Sequence, residues 1–320
     1  MKKVVVIGGG TGISAILKGI KKYSSNITAV VTMADDGGGS GILRQDMGIL
    51  PPGDVRNCIV ALSETEGVME NLLQYRFETG GLKGQNFGNI LIAALCDIYG
   101  SFNNALNQVE NIFSMSGRVV PVTYENVHLV AEFENGDKCI GESIIPKMAY
   151  KLDTRIKNIS LFPQIPKASS DALLAIKEAD LIIIGPGSLY TSIIPNLVVD
   201  GINDALRKSS GQKVYILNVM TELGETLGFN IRDHVEAIVK HSYEGIIDKI
   251  IINNKKPSEE MIKNYLKISR STEVKIDEDG LNYLKSKGIG YILGDFIEEK
   301  DTIRHSGEKI AKGLLDAGLL

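Results

Sequence analysis

Three short runs in this sequence combine residue types suited to holding a phosphate or a nucleotide. The first is Gly8-Gly9-Gly10-Thr11-Gly12, directly after the apolar run Val4-Val5-Val6-Ile7. Glycines after a strand let the chain turn sharply and let backbone N–H groups approach an anion, and a helix starting there aims its positive end at the same point. Gly10-Thr11-Gly12-Ile13-Ser14-Ala15 also fits the G-x-G-x-x-A dinucleotide fingerprint. No Gly-Lys-Ser/Thr follows, so this is not a Walker A loop. The second run, Gly185-Pro186-Gly187-Ser188, again follows an apolar stretch. It is suited to a second phosphate, with Ser188 and Thr191 as hydroxyl donors. The third, Asn218-Val219-Met220-Thr221, leads into a loop through Gly224 and Gly228.

The candidate carboxylates lie in Asp35-Asp36-Gly37-Gly38-Gly39-Ser40-Gly41 and in Leu50-Pro51-Pro52-Gly53-Asp54-Val55-Arg56-Asn57. Adjacent residues of an extended segment point in opposite directions. One of Asp35 and Asp36 is therefore free to meet Mg²⁺ or a ligand hydroxyl while the other caps the loop. Asp54 returns toward the same cavity after two prolines. The four histidines, His128, His234, His241 and His305, have no metal-ligand spacing. Cys58 and Cys96 sit in apolar, helix-like context and read as small core residues.

The elements that must position these runs follow from the hydrophobic period. Strands are predicted over 4–7, 27–33, 180–184, 213–219 and 249–252. Helices alternate with them over 13–22, 170–178, 198–207, 231–241 and 258–266. Short strands near 274 and 292 and a final helix from about 307 complete the chain. Between the second and third strands of that series lie a helical region over 57–113 and three antiparallel strands over 119–123, 127–133 and 138–145. The last two are joined at Glu134-Asn135-Gly136-Asp137, a hairpin signal, and a further strand is predicted near 158–162. This rhythm implies an α/β fold with a doubly wound, mostly parallel, Rossmann-like sheet. We read one domain over 1–320, with a helical insertion over 57–113 and an antiparallel β-hairpin excursion over 118–162. Ligands of such sheets bind beyond the carboxyl ends of the strands, where all the glycine loops fall. The four strands ahead of those loops, over 4–7, 27–33, 180–184 and 213–219, are expected to be parallel neighbours.

Composition narrows the classes. With 320 residues, 43% apolar and 23% charged, the chain is an ordinary globular sequence. A net charge of −4 and the absence of Trp argue against nucleic acid as the partner. No apolar stretch is long enough to span a membrane. Three scattered cysteines fit a reducing, cytoplasmic setting without a disulfide framework.

Taken in order, the runs Ile7–Gly12, Ala34–Gly38, Leu50–Asn57 and Ile184–Asn196 resemble the gluconeogenesis factor family (YvcK-like) over nearly the whole chain. That family is similar in fold to the 2-phospho-L-lactate transferases (CofD-like). Where those transferases carry Pro-Asp-x-Asp, this chain has Pro51-Pro52-Gly53-Asp54, with only the later carboxylate. The resemblance implies a cytoplasmic regulatory protein that binds UDP-sugars, notably UDP-N-acetylglucosamine. It also implies a role in cell shape and cell-wall synthesis on gluconeogenic carbon sources, with no established turnover and no assigned catalytic residue. By the same resemblance Tyr265 and Arg304 contact the nucleotide-sugar. The expected site therefore comprises Gly9, Gly10, Thr11, Gly12, Gly185, Gly187 and Ser188 for the diphosphate, and Asn218 and Thr221 for base or ribose. Asp35, Asp36 and Asp54 are assigned to sugar hydroxyls or Mg²⁺, with Ser40 and Asn57 beside them and Tyr265 and Arg304 closing the site. The alternatives are a Mg²⁺-dependent phospholactyl or phosphoryl transferase and a NAD-dependent oxidoreductase. The wall-synthesis partners and a homo-oligomeric state stay open at this point.

Overall fold

The computed structural model describes residues 1–64, 67–163 and 165–320. The chain opens with β1 (Val4–Gly8), buried along its whole length, then α1 (Gly10–Ile20) and β2 (Ile27–Val31). Five helices follow: α2 (Gly38–Met47), α3 (Gly53–Leu62), α4 (Val68–Gln74), α5 (Phe87–Tyr99) and α6 (Phe102–Ile112). They lead into β3 (Arg118–Pro121), which pairs parallel to β2 with Val30 opposite Val120. The strand predicted over 119–123 therefore ends the main sheet and does not belong to the antiparallel excursion. The helices before it form the crossover from β2 to β3, because a parallel neighbour can be reached only by a long return connection.

The excursion consists of β4 (His128–Phe133), β5 (Lys138–Ile140), α7 (Ile145–Lys151) and β6 (Ile156–Phe162). Its strands form an antiparallel sheet in the order β5-β4-β6. Alternate β4 side chains are buried, as expected of a strand with one face on the core. The turn predicted at Asn135-Gly136 is present, with Gly136 at φ 91°.

The α/β rhythm resumes with α8 (Ser170–Glu178) and β7 (Leu181–Ile184), again wholly buried. A wide turn over Leu189–Ile193 runs into α9 (Ile194–Leu197). The chain continues through α10 (Ile202–Lys208), β8 (Gln212–Ile216), α11 (Ile231–Lys240), β9 (Lys249–Asn253), α12 (Glu259–Ser269) and α13 (Glu278–Ser286). It ends with β10 (Gly290–Gly294), the hairpin of β11 (Ile297–Glu299) and β12 (Ile303–His305), and α14 (Gly307–Asp316). No strand forms at Val274. Its neighbours Glu273 and Lys275 make only isolated bridges to Met220 and Asn230.

The seven-stranded sheet has the order β10-β9-β8-β7-β1-β2-β3, and every pairing in it is parallel. The four expected neighbours stand side by side as β2, β1, β7 and β8. The winding runs outward in both directions from the β1–β7 pair, which is the switch point where such sheets open a ligand crevice. The apolar side chains of β1, β7 and β8 form the centre of the main core. A smaller cluster stands apart: Met220, Ile297 and Ile303, with Val219, Met261 and Tyr265 packed against it. α12 rests on this small cluster and contributes no fully buried residue.

Candidate functional site

The glycine loop after β1 and the loop after β7 meet at the switch point. A Cβ on Gly12 would lie 2.7 Å from the Pro186 carbonyl oxygen, and one on Gly187 would lie 3.2 Å from the Gly9 carbonyl. Gly10 has φ +67°, where glycine alone is at ease. Gly9 caps α1 without any side-chain acceptor, so the first N–H groups of the helix have no cap of that kind. Asn196 Nδ2 fixes the floor beneath by donating to the Gly8 and Ser192 carbonyls, at 3.2 and 2.8 Å.

Above this floor is a cleft of about 500 Å³. Gly9, Gly10, Thr11, Gly12, Gly187 and Ser188 line its base, and Asn218 and Thr221 one wall. Tyr265 on α12 and Arg304 on β12 line the side carried by the small cluster. Ten of the sequence-predicted positions thus converge, although they span the chain from residue 9 to residue 304. Asn218 Nδ2 donates to the Gly187 carbonyl (3.0 Å) and to Glu222 Oε1 (3.2 Å), while its buried Oδ1 has no protein partner. Thr221 is committed to its own wall, since its Oγ1 accepts the Thr272 N–H at 2.9 Å. The Tyr265 hydroxyl donates to the Ile303 carbonyl at 3.2 Å, which locks α12 to the strand bearing Arg304. Arg304 is exposed, and its Nε donates to Thr302 Oγ1 at 3.0 Å.

Asp35, Asp36, Ser40, Asp54, Asn57 and Gly185 do not line this cleft. Gly185 backs it, facing the Ile193 side chain. The others form a second polar centre on the β2 side. Asp35 Oδ1 accepts the Gly37 N–H, Ser40 Oγ accepts the Gly53 N–H, and Asp36 Oδ1 accepts the Ser143 N–H. The two adjacent aspartates accept from different N–H groups, Gly37 and Ser143. Asp54 joins the two regions by accepting the Gly10 N–H; burial, then the neighbouring Asp35, pushes its carboxyl up to about 6. Among the described residues no group of three histidine, cysteine, aspartate or glutamate side chains is placed to hold a metal ion.

Three acids absent from the sequence reading belong to these surroundings. Glu142 approaches Asp35, Asp36 and Asp54; burial, then those charges, raises it to about 8. Glu222 lines the cleft and is raised by burial. Glu225 lies beneath, accepting the Tyr190 N–H (3.0 Å) and the Thr191 hydroxyl (2.9 Å); burial, then Glu222, raises it to about 8. The only hint in the sequence is the pair of acids in Thr221-Glu222-Leu223-Gly224-Glu225. His305, also in the cleft, sits with Nε2 3.1 Å from the Leu217 carbonyl, and burial holds it down at about 4.

These raised carboxyls predict a pH dependence. An acid whose folded pKa exceeds its unfolded value lets the unfolded chain ionise first, so stability falls as pH rises from about 4.5 toward about 8. The histidines, all held below their ordinary 6.5, act in the opposite sense, an effect that fades about one pH unit above that value. Denaturant unfolding at pH 7.5 and at pH 8.5, above most of the histidine range, isolates the acids: the protein is expected to be less stable at pH 8.5, and Glu225→Gln is expected to flatten the difference. Equal slopes in the two proteins would remove Glu225 as a source.

A family model described as 2-phospho-L-lactate transferase CofD matches residues 4–297. A relative from Clostridium acetobutylicum is 49% identical over 315 residues, covering 98% of this chain and 69% of the relative. Proteins named gluconeogenesis factor from Halalkalibacterium halodurans and Bacillus subtilis are 44% and 42% identical over 317 residues, covering 98% of this chain and 96% and 97% of theirs. The crystal structure of a UPF0052 family protein from Bacillus halodurans is similar at 44% identity with a TM-score of 0.92, covering 98% of this chain and 99% of that one.

Proposed function

Since this chain belongs to the CofD family and, within it, to the gluconeogenesis factors, we propose that its cleft binds a UDP-sugar, UDP-N-acetylglucosamine in particular. The observation that carries this reading is the convergence of two glycine loops at the β1–β7 switch point with Asn218, Tyr265 and Arg304 on the surrounding walls. The loops supply N–H groups and the α1 dipole to a diphosphate. Asn218 Oδ1 is an acceptor awaiting a donor, as a base or ribose provides. Arg304 offers a planar fork of donors to the diphosphate, and Tyr265 a ring face to the sugar or base. With no catalytic constellation assigned, the protein acts as a cytoplasmic regulator that reports the UDP-sugar pool to cell-wall synthesis during growth on gluconeogenic carbon sources.

The test is calorimetry with UDP-N-acetylglucosamine, other UDP-sugars, GTP, NAD and FMN, each with and without Mg²⁺, beside melting curves. A ligand that binds only the native state raises the melting temperature by mass action. UDP-N-acetylglucosamine is expected to do so; a shift with NAD and with no UDP-sugar would sink the reading in favour of a dinucleotide.

A second reading, phosphoryl or phospholactyl transfer, is favoured by one observation: the Asp54 carboxyl accepts the N–H of Gly10 in the phosphate-loop floor. Mg²⁺ is commonly held by one or two carboxylates together with substrate phosphates. Asp54 with the diphosphate fits that pattern better than a cage of Asp35, Asp36 and Asp54, each of which is turned to a backbone N–H. A metal there would neutralise charge on the diphosphate.

A further inference from the structure

The two edges of the seven-stranded sheet are finished differently. An edge strand presents unpaired N–H and C=O groups, which charge, proline or a covering segment ordinarily guards. At β3 all three are present. Arg118 is exposed at its start and Pro121 ends it. Ser169 closes over that end, its hydroxyl donating to the Pro121 carbonyl at 2.6 Å and its N–H to the Val122 carbonyl at 2.8 Å. β10 has no such guard. Its residues, Gly290-Tyr291-Ile292-Leu293-Gly294, include neither charge nor proline, and its register with β9 is unbroken. Gly290 donates to the Asp248 carbonyl and Gly294 accepts the Asn254 N–H. Gly290, Ile292 and Gly294 therefore face β9, and the N–H and C=O groups of Tyr291 and Leu293 face outward, bonded to nothing among the described residues. Tyr291 and Leu293 also share one face of the strand and are 46% and 40% exposed. A groove of about 540 Å³, lined by Ile292, Leu293, Lys312 and Asp316 among others, opens beside them between β10 and α14.

This edge is complementary to itself. We propose that β10 pairs antiparallel with β10 of a second copy of this chain, about a two-fold axis at Ile292, so that the two sheets become one. In that register Tyr291 lies opposite Leu293 of the second copy, and Leu293 opposite its Tyr291. Opposed residues whose groups both face the seam exchange N–H···O=C bonds in both directions, so the outward groups of both copies are satisfied. The exposed side chains meet as apolar cross-strand pairs, the contacts that stabilise a sheet. The flanks favour this occupant over an unrelated strand. Lys285 and Lys287 precede β10, and Asp295, Glu298 and Glu299 follow it. Lys285 has no ion-pair partner among the described residues, and Asp295 and Glu298 remain 42% and 45% exposed within their own pairs. Antiparallel pairing sets the basic flank of each copy against the acidic flank of the other, whereas parallel pairing would set like against like. A contact of this kind closes at two copies and leaves no edge for further growth on that side.

The test is sedimentation of the full chain over a range of concentrations, with two double variants. Wild type is expected to be a dimer at micromolar concentration. Tyr291→Lys with Leu293→Lys puts like charges opposite each other at both outward pairs, and Tyr291→Glu with Leu293→Glu does the same with the other sign. Each is expected to raise the dissociation constant about tenfold or more, since like charges directly opposite destabilise a sheet pair. An equimolar mixture of the two variants sets Lys against Glu at both pairs and is expected to recover a dimer of one copy of each. Only this register predicts that recovery. Both side chains are substantially exposed, so the variants are expected to keep the wild-type circular dichroism. Should either fail to fold, hydrogen exchange of wild type decides: the Tyr291 and Leu293 amides are expected to slow as concentration rises. A monomeric wild type, a dimer that survives in either variant, a mixture that stays monomeric, or amides that exchange alike at all concentrations overturns the pairing.

Discussion

Replacing Arg304 by alanine is expected to weaken UDP-N-acetylglucosamine binding roughly ten- to a hundredfold, since hydrogen bonds to charged groups typically contribute about 1.5–3 kcal/mol. The melting temperature of the ligand-free protein is expected to stay where it was. Arg304 is exposed on a two-stranded hairpin, and its Nε–H bond is to nearby Thr302, so its removal leaves no buried group without a partner. The loss should shrink as salt is raised, because an exposed charge is screened. Calorimetry at two salt concentrations, beside a ligand-free melting curve, checks all three statements. Unchanged affinity would take Arg304 out of the site.

The largest effect on folding is expected at the contact between α1 and α14. A Cβ on Gly19 would lie 2.0 Å from the Gly307 carbonyl oxygen, and a Cβ on Gly307 1.8 Å from the Ala15 carbonyl. Both obstacles are backbone, so neither can rotate away. Gly19→Ala gains up to about 1 kcal/mol of helix propensity, but overpacking of this severity costs about 3 kcal/mol or more. The melting temperature is expected to fall by roughly 5 °C or more. Gly81→Ala is the control, since a Cβ there meets nothing within 4 Å. A neutral Gly19→Ala would mean that the helices slide apart freely. Because α1 also carries the phosphate-loop floor at its other end, the variant should lose ligand affinity as well.

The parts of this fold that were legible share one cause. β1 and β7 are buried on both faces, so each is an unbroken apolar run, and each ends in glycines that the next loop requires. The neighbours of the central strands and the diphosphate floor could therefore be read directly. α2 could not. Gly38-Gly39-Ser40-Gly41 looks like a loop, yet it opens a helix whose glycines admit close neighbours; a Cβ on Gly39 would lie 2.8 Å from Gln85 Oε1 and 3.3 Å from the Gly84 carbonyl oxygen. Tertiary contact overrides propensity there. β3 was misplaced because its apolar run adjoins the excursion in sequence, while its partner β2 lies far back in the chain. Glu142, Glu222 and Glu225 were missed for another reason: an acid is unusual only once its depth is known, and depth belongs to the fold.

The small apolar cluster under α12 divides the cleft into unequal halves. The glycine-loop floor is continuous with the main core, whereas Tyr265 and Arg304 stand on a footing of three buried side chains, Met220, Ile297 and Ile303. Cohesion on that side is thin, so a bound molecule touching both halves acts as mortar between them. Ligands that share a diphosphate but differ in what they offer the α12 side would then differ chiefly in residence time, because arrival needs only the rigid half while departure requires the other to let go.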